Sequence, residues 1–158
     1  MGLTSMTHST TFPALAHYFG VEIYNELRGG YFTKVSGIGS ELEAIAHWVT
    51  SGEGETIASE KIPGRCTQSD IVLTRPVTEN RGFWQWHQDI ANGEDKRVNC
   101  AIVAFNANKE EIARWNVELA WPCKVVVTDM LTSSNDVLLE EVTLAHSGIT
   151  RVEPASKP

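Results

Sequence analysis

The side chains best suited to metal or acid–base chemistry are scattered along the sequence. No two histidines stand four residues apart, a spacing that would place both on one face of a helix, and no Cys-x-x-Cys pair occurs. We therefore expect neither a metal site nor a cofactor. In chain order these side chains are His8, His17, His47, Cys66, His87, Cys100, Cys123 and His146.

One histidine has a carboxylate close by in the chain. His87 and Asp89 could act as a base and its partner, but residues two apart on a helix point in different directions. A half-buried structural histidine is the better interpretation of His87. Because the sequence also lacks the G-x-S-x-G, G-x-x-x-x-G-K-[ST] and G-x-G-x-x-G motifs, we expect no catalytic residues and no enzyme.

The stretch Ser-Gly-Glu-Gly-Glu at residues 51–55 is rich in glycine. A glycine-rich loop can bind phosphate through its backbone amides, but Glu53 and Glu55 would repel a phosphate group. The stretch lies between two β-type runs, so it is interpreted as the tip of a hairpin.

Composition limits the class of protein. The chain has 158 residues, 42% of them hydrophobic, and a formal net charge of −7, which argues against a surface that grips nucleic-acid phosphates. Three scattered cysteines favour reduced thiols. Neither a membrane-spanning run nor a signal peptide is evident, so we expect assembly in the cytoplasm.

Short β-type runs separated by turn signals fill most of the chain, which predicts an all-β sandwich or barrel of two packed antiparallel sheets. The ends are rich in small and polar residues. We expect residues 1–15 and 151–158 to be flexible tails on a body at 16–150.

A single amphipathic helix is predicted at residues 81–93. At 100° per residue its apolar side is formed by Phe83, Trp86, His87, Ile90 and Ala91, with Trp84 at the margin. Thr78 or Asn80 can cap its start, and Asn92-Gly93 tolerates a left-handed stop. The helix should lie against the sheets.

The segment from Glu41 to Ile62 predicts a hairpin arm whose small and polar side chains offer little to a core of its own. Such an exposed hairpin can join the sheet of a neighbouring molecule edge to edge. An ordinary solvent-exposed hairpin is the alternative.

The stretch ARWNVELAWPCKV at residues 113–125 carries two of the five tryptophans. Its odd positions are apolar, so Trp115 and Trp121 are predicted to share one buried face. Pro122, which lacks a backbone donor, should mark a bulge or break in the strand. The polar partners Arg114, Asn116 and Glu118 must then face solvent, a channel or a neighbour.

The order of these motifs resembles the tail tube proteins of contractile injection systems, which include contractile phage tails, tailocins and extracellular injection systems. The resemblance covers about residues 18–150. It is carried by the segments FGVEI, GGYFTKVSGIGSELEAI, KIPGR, IVLTRPVTENRGFWQWHQDIANG, ARWNVELAWPCKV and SSNDVLLEEVTLAHSGI.

The resemblance implies a self-assembling structural subunit of a virion or virion-like particle. Six subunits would join their inner sheets into a closed β-barrel ring, and rings would stack into a hollow tube for DNA or effector cargo inside a contractile sheath. The implied partners are other copies of the chain, the sheath protein, baseplate, hub and tube-initiator proteins, and a tail terminator.

Residue roles follow from the same resemblance. Positions that match the family's pattern are Gly37, Pro63-Gly64, Trp84, Trp86, Trp115, Trp121-Pro122 and Ala145-His146, whereas His87 and Cys123 depart from it. The helix would pack through Phe83, Trp84, Trp86 and Ile90, and the fold would depend on Trp115, Trp121 and Pro122. The arm would reach the adjacent ring through Glu41, Glu43, His47, Thr50, Ser51, Gly52, Glu53, Gly54, Glu55 and Lys61.

The face of the arm that lines the channel is left open by the sequence. Leu42, Ala44, Ala46 and Trp48 are expected to point to the core, which leaves Glu41, Glu43 and His47 for the channel or a neighbour. Net negative charge favours a mildly acidic channel wall.

Two other functions remain as alternatives. One is the related secreted tube protein of type VI secretion. The other is a β-sandwich ligand-binding module with Trp115 and Trp121 as a platform for sugars, although tryptophans within alternating strands are more often core.

Overall fold

The structure, a computed structural model, describes residues 15–23, 26–50, 52–54, 56–129 and 135–155. Most of the expected N-terminal tail and residues 156–158 lie outside them. The elements are β1 Tyr18–Ile23, β2 Glu26–Phe32, β3 Lys34–Ser36, β4 Ser40–Thr50, β5 Thr56–Gln68, β6 Ile71–Pro76, α1 Gly82–Ala91, β7 Val98–Phe105, β8 Glu111–Val127, β9 Leu139–Ala145 and β10 Gly148–Val152.

Two antiparallel sheets share the long strand β8. Its first half pairs with β7, which continues to β1 and β2, and with β10 on its other side. Its second half pairs with β9, which continues to β6 and β3. The edge strands β2 and β3 are separated only by Thr33, whose amide donates to the Thr74 carbonyl at 2.9 Å. The sheets are therefore joined at both ends around one core, which confirms the predicted all-β architecture.

The core lies between the inner faces of the two sheets. β6 shows why the sequence folds this way: Ile71, Leu73 and Arg75 are buried while the residues between them are half-buried. Burying one face of each strand removes apolar area from water, which is the main driving force for the sandwich. Fully buried aliphatic and aromatic side chains include Val21, Phe32, Ile71, Leu73, Phe83, Ile102, Val142 and Leu144.

β8 runs unbroken from Glu111 to Val127, so of the bulge or break expected at Pro122 no break occurs. Its pairing with β7 shifts register at Glu118–Leu119, where Leu119 has a φ of +48°. Ala113 and Val117 are buried before this bulge, whereas Ala120 and Pro122 are buried after it. The alternation therefore changes phase.

Trp115 is therefore in the same alternating set as the buried residues before the bulge, whereas Trp121 lies between the buried residues after it. The predicted shared face is wrong. Both rings are nevertheless half-buried and pack against the core cluster. Pro122 is fully buried. The pairing of β8 with β9 shifts register directly after it, which confirms the predicted irregularity at this proline.

α1 spans Gly82–Ala91. Its N-cap is Arg81, which makes no side-chain capping hydrogen bond, so the expected cap by Thr78 or Asn80 is wrong, whereas the other end stops at Asn92-Gly93 as predicted. The Asn80 side-chain oxygen accepts a hydrogen bond from the Gly82 amide at 2.8 Å, and Gly93 takes a φ of +92°. Phe83 and Trp86 are buried, and Ile90 packs partly against the core. Trp84 is exposed, which agrees with its predicted place at the margin of the apolar side but not with the expectation that the helix packs through it. No helix among the described residues is long and apolar enough to span a membrane.

Strand β10 ends at Val152, two residues beyond the boundary expected for the body. The Ala155 amide then donates to a Glu111 carboxylate oxygen at 2.9 Å. The chain is thus tied to the start of β8 after β10 ends.

Candidate assembly interface

The hairpin arm consists of β4 and β5, which pair only with each other among the described strands. Every residue of β4 is exposed, and so is every residue of β5 whose burial is described, except Gly64. The arm is longer than predicted, since β5 continues six residues beyond Ile62 to Gln68. A two-stranded ribbon without a covering layer has little stability of its own, so this arm is built to meet another surface.

A bulge bends the arm close to its base. Leu42 pairs with Cys66 and Ala44 with Pro63, so Gly64 and Arg65 together oppose Glu43. A Cβ atom on Gly64 would stand 2.8 Å from the Ile45 Cδ1 atom. Glycine therefore lets Ile45 lie directly over the bulge.

The pairing register divides the arm into two faces, because residues directly opposite each other share a face. We name them by their charges. The lysine face comprises Leu42, Ala44, Ala46, Trp48, Ser59, Lys61, Pro63 and Cys66. The acidic face comprises Glu41, Glu43, Ile45, His47, Val49, Ala58, Glu60, Ile62 and Thr67.

Large apolar side chains are exposed on both faces. On the lysine face Leu42 is 61% and Trp48 66% exposed, whereas Ile45, Val49 and Ile62 on the acidic face are 41–44% exposed. The expectation that Leu42, Ala44, Ala46 and Trp48 point to the subunit's own core is wrong, since the arm projects away from both sheets and nothing in the described chain covers it. These side chains are instead available to a partner.

The base of the arm is held by backbone contacts. Gly37 has a φ of +82°, and a Cβ atom there would stand 2.0 Å from the Asp70 carbonyl oxygen. Across the same junction His146 donates from Nε2 to the Ser69 carbonyl at 2.8 Å. Only glycine satisfies both the left-handed backbone and the close approach, so Gly37 fixes where the arm leaves the sheet.

The residues expected to make contacts between rings lie where the sequence placed them along the arm. Those in the described part are exposed: Glu41, Glu43, His47, Thr50, Gly52, Glu53, Gly54 and Lys61. Ser51 and Glu55 lie outside the described residues.

Of the polar partners on β8, Arg114 is not free. Its guanidinium donates to Glu111 at 2.7 Å and to Glu22 at 2.9 Å, which links β8 to β1. The hydrogen bond that Arg114 donates to the Glu111 carboxylate is the main cause of the raised pKa of Arg114. Burial acts to raise the pKa of Glu111. The pKa is nevertheless lowered, because Arg114 and the Ala155 amide donate hydrogen bonds to the carboxylate. Arg114 and Glu111 therefore keep each other in the charged form.

Glu118 differs from its neighbour Arg114. It is exposed, and its side chain forms no hydrogen bond or ion pair within the described part of the chain. Next to it Leu119 is 44% exposed, and the Leu119 amide donates to the Asn99 side chain at 3.0 Å.

His87 is half-buried, and its Nδ1 atom lies 2.8 Å from the Pro122 carbonyl oxygen. Because a carbonyl only accepts, Nδ1 carries the proton, and the ring links α1 to β8. No group of three metal-ligating side chains is found within the described ranges.

Two features of the interface were missed in the sequence. The apolar residues Leu42 and Trp48 were assigned to a core, because alternation alone does not reveal whether the apolar face has a cover. The Glu118–Leu119 bulge has no sequence signal, since leucine rarely adopts a left-handed backbone.

Comparison with known protein families gives a match over most of the chain. The model of the family described as "T4-like virus tail tube protein gp19" matches residues 15–150. No curated protein matches the chain.

Solved structures share the fold. The chain is similar to one in the tube-terminating cap of the anti-feeding prophage, with 22% identity, 97% of this chain and 99% of that chain covered, and a TM-score of 0.75. It is also similar to one in the extended sheath–tube complex of the extracellular contractile injection system PVC, with 21% identity, coverage of 96% and 99%, and a TM-score of 0.74. An Hcp protein is less similar, with 13% identity, coverage of 89% and 92%, and a TM-score of 0.51.

Proposed function

Because the chain belongs to the family of the T4-like virus tail tube protein gp19, we infer that it is a structural subunit of the inner tube of a contractile, phage-tail-like injection machine. Six copies form a ring, and stacked rings form a hollow conduit for DNA or effector cargo. The tube assembles in the cytoplasm and becomes part of a phage tail or a tail-like particle. It performs no catalysis.

The observation that carries this proposal is the arm. Its two strands expose large apolar side chains on both faces and pair with no other described strand. A monomer gains nothing from such a ribbon, whereas a polymer of identical subunits covers it at every contact. The arm is therefore the main assembly element of the subunit.

The partners follow from the place of a tube in such a machine. Copies of the chain surround one another, and a contractile sheath surrounds the tube, as in the PVC sheath–tube complex. One end meets the baseplate, hub and tube initiator, and the other meets a terminating cap of the kind found in the anti-feeding prophage.

The type VI alternative has weaker support, since the Hcp protein shares 13% identity and a TM-score of 0.51 with this chain. A sugar-binding platform on Trp115 and Trp121 is also less well supported, because the change of phase in β8 puts the two tryptophans on different faces of the strand.

Shortening the arm tests the proposal. Replacing residues 50–57 with Asn-Gly gives a tight hairpin that keeps Val49 opposite Ala58 and leaves both sheets intact. We expect circular dichroism and the melting temperature of the body to be unchanged and electron microscopy to reveal few or no tubes. Tubes as long and as numerous as those of the unaltered protein would contradict the proposed role of the arm.

A further inference from the structure

The strained turn within β8 exposes a carboxylate, unpaired in the described part of the chain, beside an apolar side chain. Leu119 takes a left-handed backbone although it is not glycine, and it presents its side chain outward. The bulge is held on two sides, since the Leu119 amide donates to Asn99 and the Ser147 amide donates to the Glu118 carbonyl at 2.9 Å. Strain that the surroundings maintain in this way is typical of functional surfaces.

Glu118 also stands between two open clefts of about 340 Å³ and 420 Å³ and lines both of them. One cleft lies on the outer face of the first sheet, beside Asn116. The other lies between β10 and the base of the arm, beside Gln68. An entering side chain would meet the Glu118 carboxylate in either cleft, and in the first cleft also Arg114, whose charge Glu111 and Glu22 already balance. The exposed Leu119 follows Glu118 directly in the chain.

The lysine face of the arm has the complementary chemistry. Lys61 is its only charged residue, and within the described chain Lys61 makes no ion pair. Trp48 pairs with Ser59 and Lys61 with Ala46, so the ring and the amine are diagonal neighbours on one face. A cation beside a large apolar group matches an anion beside an exposed leucine.

Resting on the proposed function, we propose that Glu118 and Leu119 form the β8 docking site, which receives Lys61 and Trp48 from the arm of a neighbouring copy. The contact cannot form within one subunit. Gln68 lines the cleft beside Glu118, and Lys61 lies seven residues further along the extended strand, about 23 Å away at 3.3 Å per residue. The docking therefore joins two copies through the lysine face of the arm.

Charge reversal tests this contact directly. Lys61→Glu and Glu118→Lys should each raise the concentration needed for tube formation by about tenfold or more, because facing like charges repel strongly whereas exposed pairs attract only modestly. Both residues are exposed, so the fold should survive, which circular dichroism and melting verify. The matched control is Lys109→Glu, in the turn at the other end of β7 and β8. It should assemble like the unaltered protein.

Two rescue experiments complete the test. The double variant Lys61→Glu/Glu118→Lys should recover assembly, and so should an equimolar mixture of the two single variants, because each arm then finds a docking site of opposite charge on the other variant. Recovery in the mixture can arise only from contacts between copies. Pelleting and negative-stain microscopy measure the result.

The outcomes separate the two proposals. Normal assembly of either single variant, or failure of both rescues, would overturn the docking site while leaving the tube function standing. If the unaltered protein forms neither rings nor tubes, the proposed function and this contact fall together.

Discussion

Arg75 donates from Nε to a Glu140 carboxylate oxygen at 2.8 Å, and both residues are buried between the sheets. The same guanidinium donates to the Asn80 carbonyl at 3.1 Å. It lies 5.3 Å from the Phe32 ring centre and 5.8 Å from that of Phe83. Arg75 thus joins β6, β9 and the segment that begins α1.

Removing one partner of this pair should destabilise the subunit. Glu140→Gln leaves a buried guanidinium without its counter-charge, and we expect a loss of about 3 to 5 kcal/mol in the free energy of unfolding by urea. Glu141→Gln, on the exposed neighbouring residue, should change it by less than about 0.5 kcal/mol. A loss under about 1 kcal/mol for Glu140→Gln would contradict the structural role of the pair.

Phe83 and Trp84 are adjacent on α1 but differ in burial. Phe83 is fully buried, with its ring edge-to-face against Phe32 at 5.4 Å between centres, so Phe83→Ala should cost about 3 to 5 kcal/mol. Trp84→Ala is the matched control and should cost less than about 1 kcal/mol, since its ring is 43% exposed. Chemical denaturation of soluble subunits measures both, and equal losses would argue against the observed packing of the helix.

Gly37 and Gly39 provide a paired test of the base of the arm. A methyl group on Gly37 meets the Asp70 carbonyl and a left-handed backbone, so Gly37→Ala should lower the free energy of unfolding by more than about 2 kcal/mol. Gly39→Ala meets no atom within 4 Å and should be nearly neutral. If thermal melts of the two variants coincide, Gly37 does not fix the arm as described.

The three cysteines should react with thiol reagents in the order of their exposure. Burial raises the pKa of the Cys100 thiol to about 12, so at pH 8 it stays protonated and inert, whereas Cys66 is exposed on the arm. A chromogenic disulfide reagent should label Cys66 first, Cys123 more slowly and Cys100 only after unfolding. Mass spectrometry of labelled peptides checks the order, and rapid labelling of Cys100 in the folded protein would contradict its burial.

The fold could largely be predicted from the sequence because its signals are local. Alternation marked the strands, and helical periodicity placed Phe83 and Trp86 on the buried side of α1. The glycine after Asn92 marked the end of the helix, and Pro122 marked the irregularity in the pairing of β8 with β9. The phase change at Leu119 could not be foreseen, because it depends on Asn99 and Ser147, which reach the bulge from other parts of the chain.

The sequence indicated where the interface lies in the chain but not which face of the arm is exposed to a partner. An arm with small side chains was evident. Leu42 and Trp48 were nevertheless assigned to the core, because a period-2 pattern does not distinguish a face covered by the subunit itself from one covered by another copy. The buried pair of Arg75 and Glu140 was also missed. Each is an ordinary charged residue in its own strand, and only the pairing of β6 with β9 brings the two together.

Cryo-electron microscopy of the purified full chain tests the central claim most directly. At concentrations up to its solubility limit, with a crowding agent, we expect hollow tubes of stacked six-fold rings in which every arm lies against a neighbouring copy. Single subunits without rings at every concentration, or tubes whose arms extend into solvent, would contradict the account.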